Sequence, residues 1–310
     1  MENIIEERHE RLRSLIRQDA MREENLLLEI GLDNSILHSL QSSVKFYILD
    51  CLAESYTDRS FDANLSLDDL TKCYSSEIMS LPNRTPNGLV LPKLECSLSY
   101  NVVVKNAVKL VSFLGMDDTC ESAYMPINVR LPWGAPSPDV STRAYSSLKW
   151  HTDIWAGEWA REVMVPTPLF GAFEKNGISF AEPPSDFYPT YVRDIPDYKD
   201  GEAIAGRSRK YDLTMSIGSV YLVDSFLLHK TLSGHPSFRG ILSFPLRPRY
   251  ILESDIYENA ERADDFIPMS EWKEFGTKRL VCTDKILEPY IGGDLPTISY
   301  SDRYNLLKIL

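Results

Sequence analysis

The spacing of apolar residues changes once along this chain, near residue 123, and that change constrains the fold more than any other feature. Upstream, apolar side chains recur at helical intervals among charged residues; downstream, they alternate or gather in short β-branched and aromatic runs bounded by Gly, Pro and Asn. A helix repeats its buried face every 3.6 residues and a strand every two, so one sequence stretch cannot serve both. Helices are therefore expected first and short strands after them.

In the first third, Ile5, Leu12, Leu15 and Ile16 keep helical spacing. Gly31 punctuates the pattern, and Asp33 or Asn34 can cap a second helix with Ile36, Leu37, Leu40, Val44 and Tyr47 on its apolar side. Ser66 with Asp69 opens a third helix through Leu70 and Ile78, and a fourth runs from Lys105 to Leu114 and stops at Gly115. From 123 the stretch AYMPINVRLPW reads as a strand. The runs VMVPTPLFGAF and ISFAEPP flank Glu174-Lys175-Asn176-Gly177, which reads as a hairpin turn. SIGSVYLVDSFLLHKT (216–231) reads as strand, turn, strand, and RGILSFPLRPRY (239–250) as one more strand.

Helices followed by antiparallel strands predict an α+β chain: a double-stranded β-helix (jelly roll) core with a helical N-terminal layer. We read 1–310 as a single domain, with 1–120 mainly helical support, 121–250 the jelly-roll core and 251–310 a C-terminal extension without a firm assignment.

The chain carries 33 Lys+Arg against 45 Asp+Glu, a net charge of -12 that repels phosphate backbones and argues against nucleic-acid binding. An anionic ligand would then need a local basic anchor. Its start, MENIIEERHERLRS, is charged throughout with no apolar core of a leader, and no run is long enough to span a bilayer, so a cytoplasmic protein without a membrane partner is expected. The five cysteines (51, 73, 96, 120 and 282) are scattered and form no CxxC pair, which fits free thiols better than zinc or a disulfide framework. A homodimer through the charged N-terminal helices is compatible with this pattern.

Five histidines are present, and two have surroundings suited to a metal. In Trp150-His151-Thr152-Asp153, the His and Asp are two apart. On a strand they would project to one side and converge on one ion. His229 ends the apolar run Phe226-Leu227-Leu228, 78 residues beyond His151, and an antiparallel return can bring it back. Two histidines and one carboxylate on one face of an octahedral ion leave open positions, the ligand pattern of non-haem iron(II) oxygenases. Arg239 follows ten residues after His229. A guanidinium is planar, permanently charged and bidentate toward carboxylates, which suits the far end of a dicarboxylic co-substrate.

His151-x-Asp153, a distal His229 and Arg239 ten residues on resemble the iron(II)/2-oxoglutarate-dependent dioxygenase superfamily. WHTDIWAGEW, with SVYLVDSFLLHKTLSGHPSFRGILSFPLRPR, resembles its phytanoyl-CoA dioxygenase-like branch and looks closest to StrG-type proteins of aminoglycoside biosynthesis. The motif resemblance spans about 125–250. It implies a double-stranded β-helix, Fe(II), 2-oxoglutarate and O2, with succinate and CO2 as co-products. It implies His151, Asp153 and His229 as metal ligands and Arg239 as the anchor of the C5 carboxylate. Some relatives carry a Ser two residues after that Arg; here Ile241 stands there and Ser243 comes later, so Thr231 or Tyr221 would supply a hydroxyl. The retained Asp153 favours hydroxylation or a related oxidation over halogenation, and a desaturation, epimerisation or ring closure would use the same residues. A sugar, aminoglycoside or modified amino acid is the implied class of small-molecule substrate.

Around this constellation, Asn128 and Arg130 are candidates for the co-substrate pocket. Arg143 and Lys149 are candidates for meeting an anionic substrate, and Trp155 and Glu158 for lining the cavity mouth. Asp224 reads as a structural turn residue, His9 and His38 as structural or solvated, and His235, in Ser-Gly-His-Pro, is the rival distal ligand. A zinc- or other metal-dependent hydrolase or lyase on a cupin-like barrel, and a non-catalytic binding protein on the same fold, are the competing readings.

Overall fold

The computed structural model describes residues 2–135, 141–211, 213–258, 265–282 and 305–308, with backbone only for Glu2, Cys282 and 305–308. The helical layer comprises α1 (Glu2–Ser14), α2 (Asn34–Ser55), α3 (Leu67–Cys73), α4 (Ser75–Met79) and α5 (Ser97–Leu114). Ser66 caps α3 by accepting the Asp69 N–H, and the expected third helix breaks into α3 and α4 at Tyr74. Helix α5 starts at Ser97, eight residues before the expected Lys105, and Gly115 ends it at φ 77°, a conformation that favours glycine. α2 buries Leu40, Val44, Tyr47, Ile48 and Leu52 against Tyr100, Val103, Val104 and Ala107 of α5, with Tyr47 and Tyr100 edge-on at 5.4 Å. Each such large apolar side chain contributes about 1.5–3 kcal/mol on burial, so this pair fixes the layer firmly.

The first third also holds a hairpin the helical reading missed: β1 (Arg22–Glu24) and β2 (Leu27–Gly31), turning at Leu26 with φ 65°. Leu27, Leu28 and Ile30 are all buried, so the run lacks the two-residue alternation by which a strand announces itself. β3 (Leu89–Val90) follows before α5.

Downstream come β4 (Cys120–Tyr124), β5 (Asn128–Arg130), β6 (Val163–Met164), β7 (Thr167–Gly171), β8 (Ile178–Ala181), β9 (Lys210–Tyr211), β10 (Ser219–Asp224), β11 (Leu228–Thr231), β12 (Arg239–Ser243), β13 (Pro245–Pro248), β14 (Phe266–Pro268), β15 (Arg279–Cys282) and β16 (Asn305–Lys308). Among the described residues they form a seven-stranded sheet β1-β2-β10-β6-β13-β4-β14, a four-stranded sheet β3-β5-β12-β7, a three-stranded sheet β11-β8-β9 and the pair β15-β16. Every pairing between these strands is antiparallel. Helices beside antiparallel sheets make the chain α+β.

Three strand expectations need correction. The stretches 123–133 and 239–250 are each two strands that change sheet, at Pro126 and between Phe244 and Pro245. Proline has no N–H to continue a ladder, so pairing stops there and the chain is free to cross. The expected strand, turn and strand in 216–231 are present as β10 and β11, in different sheets. The expected hairpin at 174–177 does not exist: β7 pairs with β12, β8 pairs with β11, and Phe173–Asn176 is a single helical turn. Asn176 is buried instead, accepting from His235 N at 2.9 Å and donating to His235 O at 2.9 Å and Ser237 Oγ at 3.0 Å. It pins the loop that leads into β12.

Beyond 250 the chain packs back on the fold. β14 pairs with β4, Asn101 of α5 bonds both N–H and C=O of Val281, and Asp255 binds Arg8 of α1. Among the described residues, no helix is long and apolar enough to cross a membrane. Cys51, Cys73, Cys96 and Cys120 are free.

Candidate metal centre and anion anchor

His151 and His229 face each other across an isolated antiparallel bridge, with N–H to C=O bonds of 3.0 and 2.8 Å in the two directions. Their rings lie 4.3 Å apart. Each Nδ1 meets the backbone carbonyl two residues upstream, Lys149 O at 2.8 Å and Leu227 O at 3.2 Å. A carbonyl only accepts, so both Nδ1 atoms carry the proton and both Nε2 lone pairs are left to bind a cation.

Asp153 is not on a strand, as the His-x-Asp spacing suggested. It begins a 3-10 turn, Asp153–Ala156, closed by Gly157 at φ 90°. The turn still swings the carboxylate round: Asp153 Oδ1 lies 3.6 Å from His229 Nε2, and one ligand atom from each of His151, Asp153 and His229 lies within 4.8 Å of the others. Donors converging at that spacing fit a transition-metal ion with ligand bonds near 2.0–2.2 Å. Burial, then the neighbouring His229, hold the His151 pKa well below 6.5, so the ring is neutral and ready to ligate. Tyr198, which no sequence pattern marked, stacks on the His151 ring at 4.5 Å and 10°.

The triad opens on a cavity of about 120 Å³ lined from three sheets: Arg130 of β5, Met164 of β6, Ile178 and Phe180 of β8, Val223 of β10, Thr231 of β11, and Arg239, Ile241 and Ser243 of β12. Arg239 is 2% exposed. Its Nη2 donates to Thr231 Oγ1 at 3.3 Å, its guanidinium sits 5.8 Å from the Phe173 ring, and its Nη1 is buried without a partner. Among the described residues no carboxylate pairs with it. Burial, with Arg130 adding repulsion, pulls its pKa from 12.5 down to about 10. A buried cation in this state has donor capacity that no described protein group satisfies. Gly171 opposite it, at φ 101°, lets β7 approach: a Cβ there would lie 2.6 Å from Arg239 Cα.

The other candidates separate clearly. Arg130 lines the cavity, directly across the ladder from Ile241. Asn128, opposite Ser243, is buried but lies outside the lining. Arg143 and Lys149 hold their own loop: Arg143 Nη1 donates to Asn87 Oδ1 at 3.3 Å and Lys149 Nζ to Arg143 O at 2.7 Å. Trp155 is fully buried among Phe187, Tyr191 and Tyr198, with Nε1 donating to Tyr191 O at 2.9 Å. Glu158 does not line the cavity; its N–H bonds Asp153 O at 3.2 Å. His235 is exposed on a separate groove with Trp133 and Phe238, away from the triad. Tyr221 gives its hydroxyl to Glu29 at 2.9 Å, and Asp224 is 1% exposed and caps the Phe226 N–H at 2.9 Å. The hydroxyl beside Arg239 is therefore that of Thr231, and Ser243 adds a buried Oγ without a protein partner. Asn87 and Ser147 also line the cavity from irregular segments that carry no motif.

No family model and no curated protein matches this chain. Solved structures similar to it include the carbocyclase SnoK of nogalamycin biosynthesis, named as non-haem and α-ketoglutarate dependent, at 10% identity over 72% of this chain and 79% of that one, TM-score 0.38. EctD from S. alaskensis, solved with 2-oxoglutarate and 5-hydroxyectoine, is 14% identical over 72% of each chain, TM-score 0.37. An N-substituted L-amino acid dioxygenase from Burkholderia ambifaria is 12% identical over 79% of this chain and 90% of that one, TM-score 0.37.

Proposed function

We propose that this chain is an Fe(II)- and 2-oxoglutarate-dependent oxygenase, built on a jelly-roll core, that hydroxylates a small polar metabolite such as a sugar, an aminoglycoside or a modified amino acid. The observation that carries the reading is the buried guanidinium of Arg239, without a carboxylate partner, lining the same cavity as the two-histidine, one-carboxylate cluster. That ligand set suits non-haem iron(II) and leaves coordination positions for a co-substrate and O2. A zinc hydrolase would use the same ligands but gives Arg239 nothing to do.

In this reading His151 Nε2, Asp153 Oδ1 and His229 Nε2 hold the metal. The Arg239 fork and the Thr231 hydroxyl grip the far carboxylate of 2-oxoglutarate, with Ser243 Oγ as a further donor. Arg130 supplies a second positive charge to the other end of the same dianion. Ile178, Phe180, Val223 and Ile241 wall the cavity and keep bulk water from it. Bound Fe(II) with 2-oxoglutarate and O2 supplies the oxidising chemistry, releasing succinate and CO2, while the protein positions the reactants. The StrG-type, phytanoyl-CoA dioxygenase-like branch is the proposed place of the chain in that superfamily.

The test is oxygen-dependent conversion of 2-oxoglutarate to succinate with Fe(II) and ascorbate, screened across sugars, aminoglycosides and amino-acid derivatives. Substrate-stimulated succinate that disappears in His229→Ala supports the reading. A metal-loaded protein that binds no 2-oxoglutarate by calorimetry overturns it.

A further inference from the structure

The first helix holds two arginines that its charged sequence gives no reason to bury, Arg8 at 0% and Arg11 at 2% exposure. Arg8 Nε donates to Asp224 Oδ1 at 2.8 Å, and Nη1 to Asp255 Oδ1 at 2.9 Å and Ser254 Oγ at 3.1 Å. Its Nη2 donates to Ser225 Oγ at 3.2 Å and to the carbonyl of Ala160, and its guanidinium carbon lies over the Phe226 ring, 3.6 Å from the centroid. Arg11 bonds Asp255 and, at 3.3 Å, Asp224 Oδ2. Burying this many charges costs several kcal/mol per ion before pairing offsets it, so the cluster is a poor device for stability alone.

What it joins is specific. Asp224 accepts the Phe226 N–H at 2.9 Å, and its own carbonyl accepts the Leu227 N–H at 3.0 Å. Leu227 O is the acceptor that orients His229 through Nδ1. Ala160 closes the segment that begins at Asp153, where Glu158 N–H bonds Asp153 O at 3.2 Å. Ser225 Oγ donates to the same Ala160 carbonyl at 2.6 Å. One guanidinium therefore spans the two chain segments that deliver Asp153 and His229.

We propose that Arg8 is a positioning residue for the metal centre, clamping the 153–160 and 224–229 segments so that Asp153 and His229 converge on one ion. This rests on the metal-centre reading above. Arg8 touches no ligand atom; it acts through the Asp224 turn and the Ala160 carbonyl.

The experiment titrates the full-length metal-free protein with Co(II) and records affinity and the d–d spectrum for wild type, Arg8→Met, Arg8→Lys and Asp255→Asn. Asp255→Asn disrupts the same buried cluster but leaves the Asp224 and Ala160 arms intact, so it reports general destabilisation. Arg8→Lys keeps the charge and is the variant to rely on where Arg8→Met fails to fold, since one ammonium cannot fork across both segments. The expected result is an affinity about tenfold lower or more, with an altered d–d band, in the folded Arg8 variants and not in Asp255→Asn. Wild-type affinity and spectrum in folded Arg8→Lys, or an equal loss in Asp255→Asn, would overturn the proposal. A wild-type protein that binds no Co(II) refutes the metal-centre reading instead.

Discussion

Replacing Arg239 by Met should strengthen the ligand-free protein while crippling its hold on 2-oxoglutarate. The guanidinium is 2% exposed, its Nη1 has no partner, and burial takes its pKa from 12.5 to about 10. That depression corresponds to about 3 kcal/mol of disfavoured charge. The sign follows from linkage: the folded value lies below the unfolded one, so the penalty is present in full at neutral pH and is relieved only as pH climbs past about 10. Methionine fills most of the same space without a charge, and loses one hydrogen bond to Thr231 worth about 1 kcal/mol. The ligand-free variant should thus gain about 2 kcal/mol, a Tm rise of several degrees for a chain this size. With 2-oxoglutarate the sign reverses. Truncating one partner of a desolvated charge pair costs about 2–5 kcal/mol, a loss of affinity of roughly 30-fold to several thousand-fold. Paired thermal melts, with and without 2-oxoglutarate on the metal-loaded protein, and calorimetry for Kd measure both effects. A ligand-free Tm that falls by several degrees, with 2-oxoglutarate affinity unchanged, would show that Arg239 is a structural cation and refute the reasoning.

His229→Ala removes one of three donors within 4.8 Å and should lower Fe(II) affinity by about 100-fold or more, read by metal analysis after dialysis at fixed free iron. Gly201→Ala would set a Cβ 1.8 Å from the Trp150 carbonyl, next to His151; it should cost about 3 kcal/mol in denaturant unfolding and weaken metal binding with it. Trp155→Phe loses the bond to Tyr191 O and part of a full core side chain, so stability should drop by about 2 kcal/mol while metal and 2-oxoglutarate affinity stay within twofold; a selective loss of ligand binding would return Trp155 to the cavity.

The helical face of α2 and the Gly115 stop of α5 follow from local spacing and one backbone conformation, so they were readable. The β1–β2 hairpin was not, because β2 is buried on both faces and so loses its alternation. The Asn176-Gly177 pair looked like a hairpin because turn composition is local, whereas the choice of pairing partner is made by distant strands: β7 takes β12 and β8 takes β11. Trp155, expected at the cavity mouth, packs in the core for the same reason, since a residue near a motif can point toward the core as readily as into a cavity.

By itself the sequence determined the chemistry available: His151, Asp153, His229 and Arg239 are the right donor types, and spacing along a strand-rich segment was enough to group them. Only the tertiary structure decided that they converge. The 3-10 turn at Asp153, the bridge between His151 and His229, and the absence of any carboxylate partner for Arg239 among the described residues depend on contacts between segments tens of residues apart. The role of the first helix lies wholly on that side. In sequence Arg8 is one charge among many; only when α1 packs under the 224–229 turn does burial force its guanidinium to find Asp224, Asp255 and Ala160, and so to join the segments that carry two of the three candidate metal ligands.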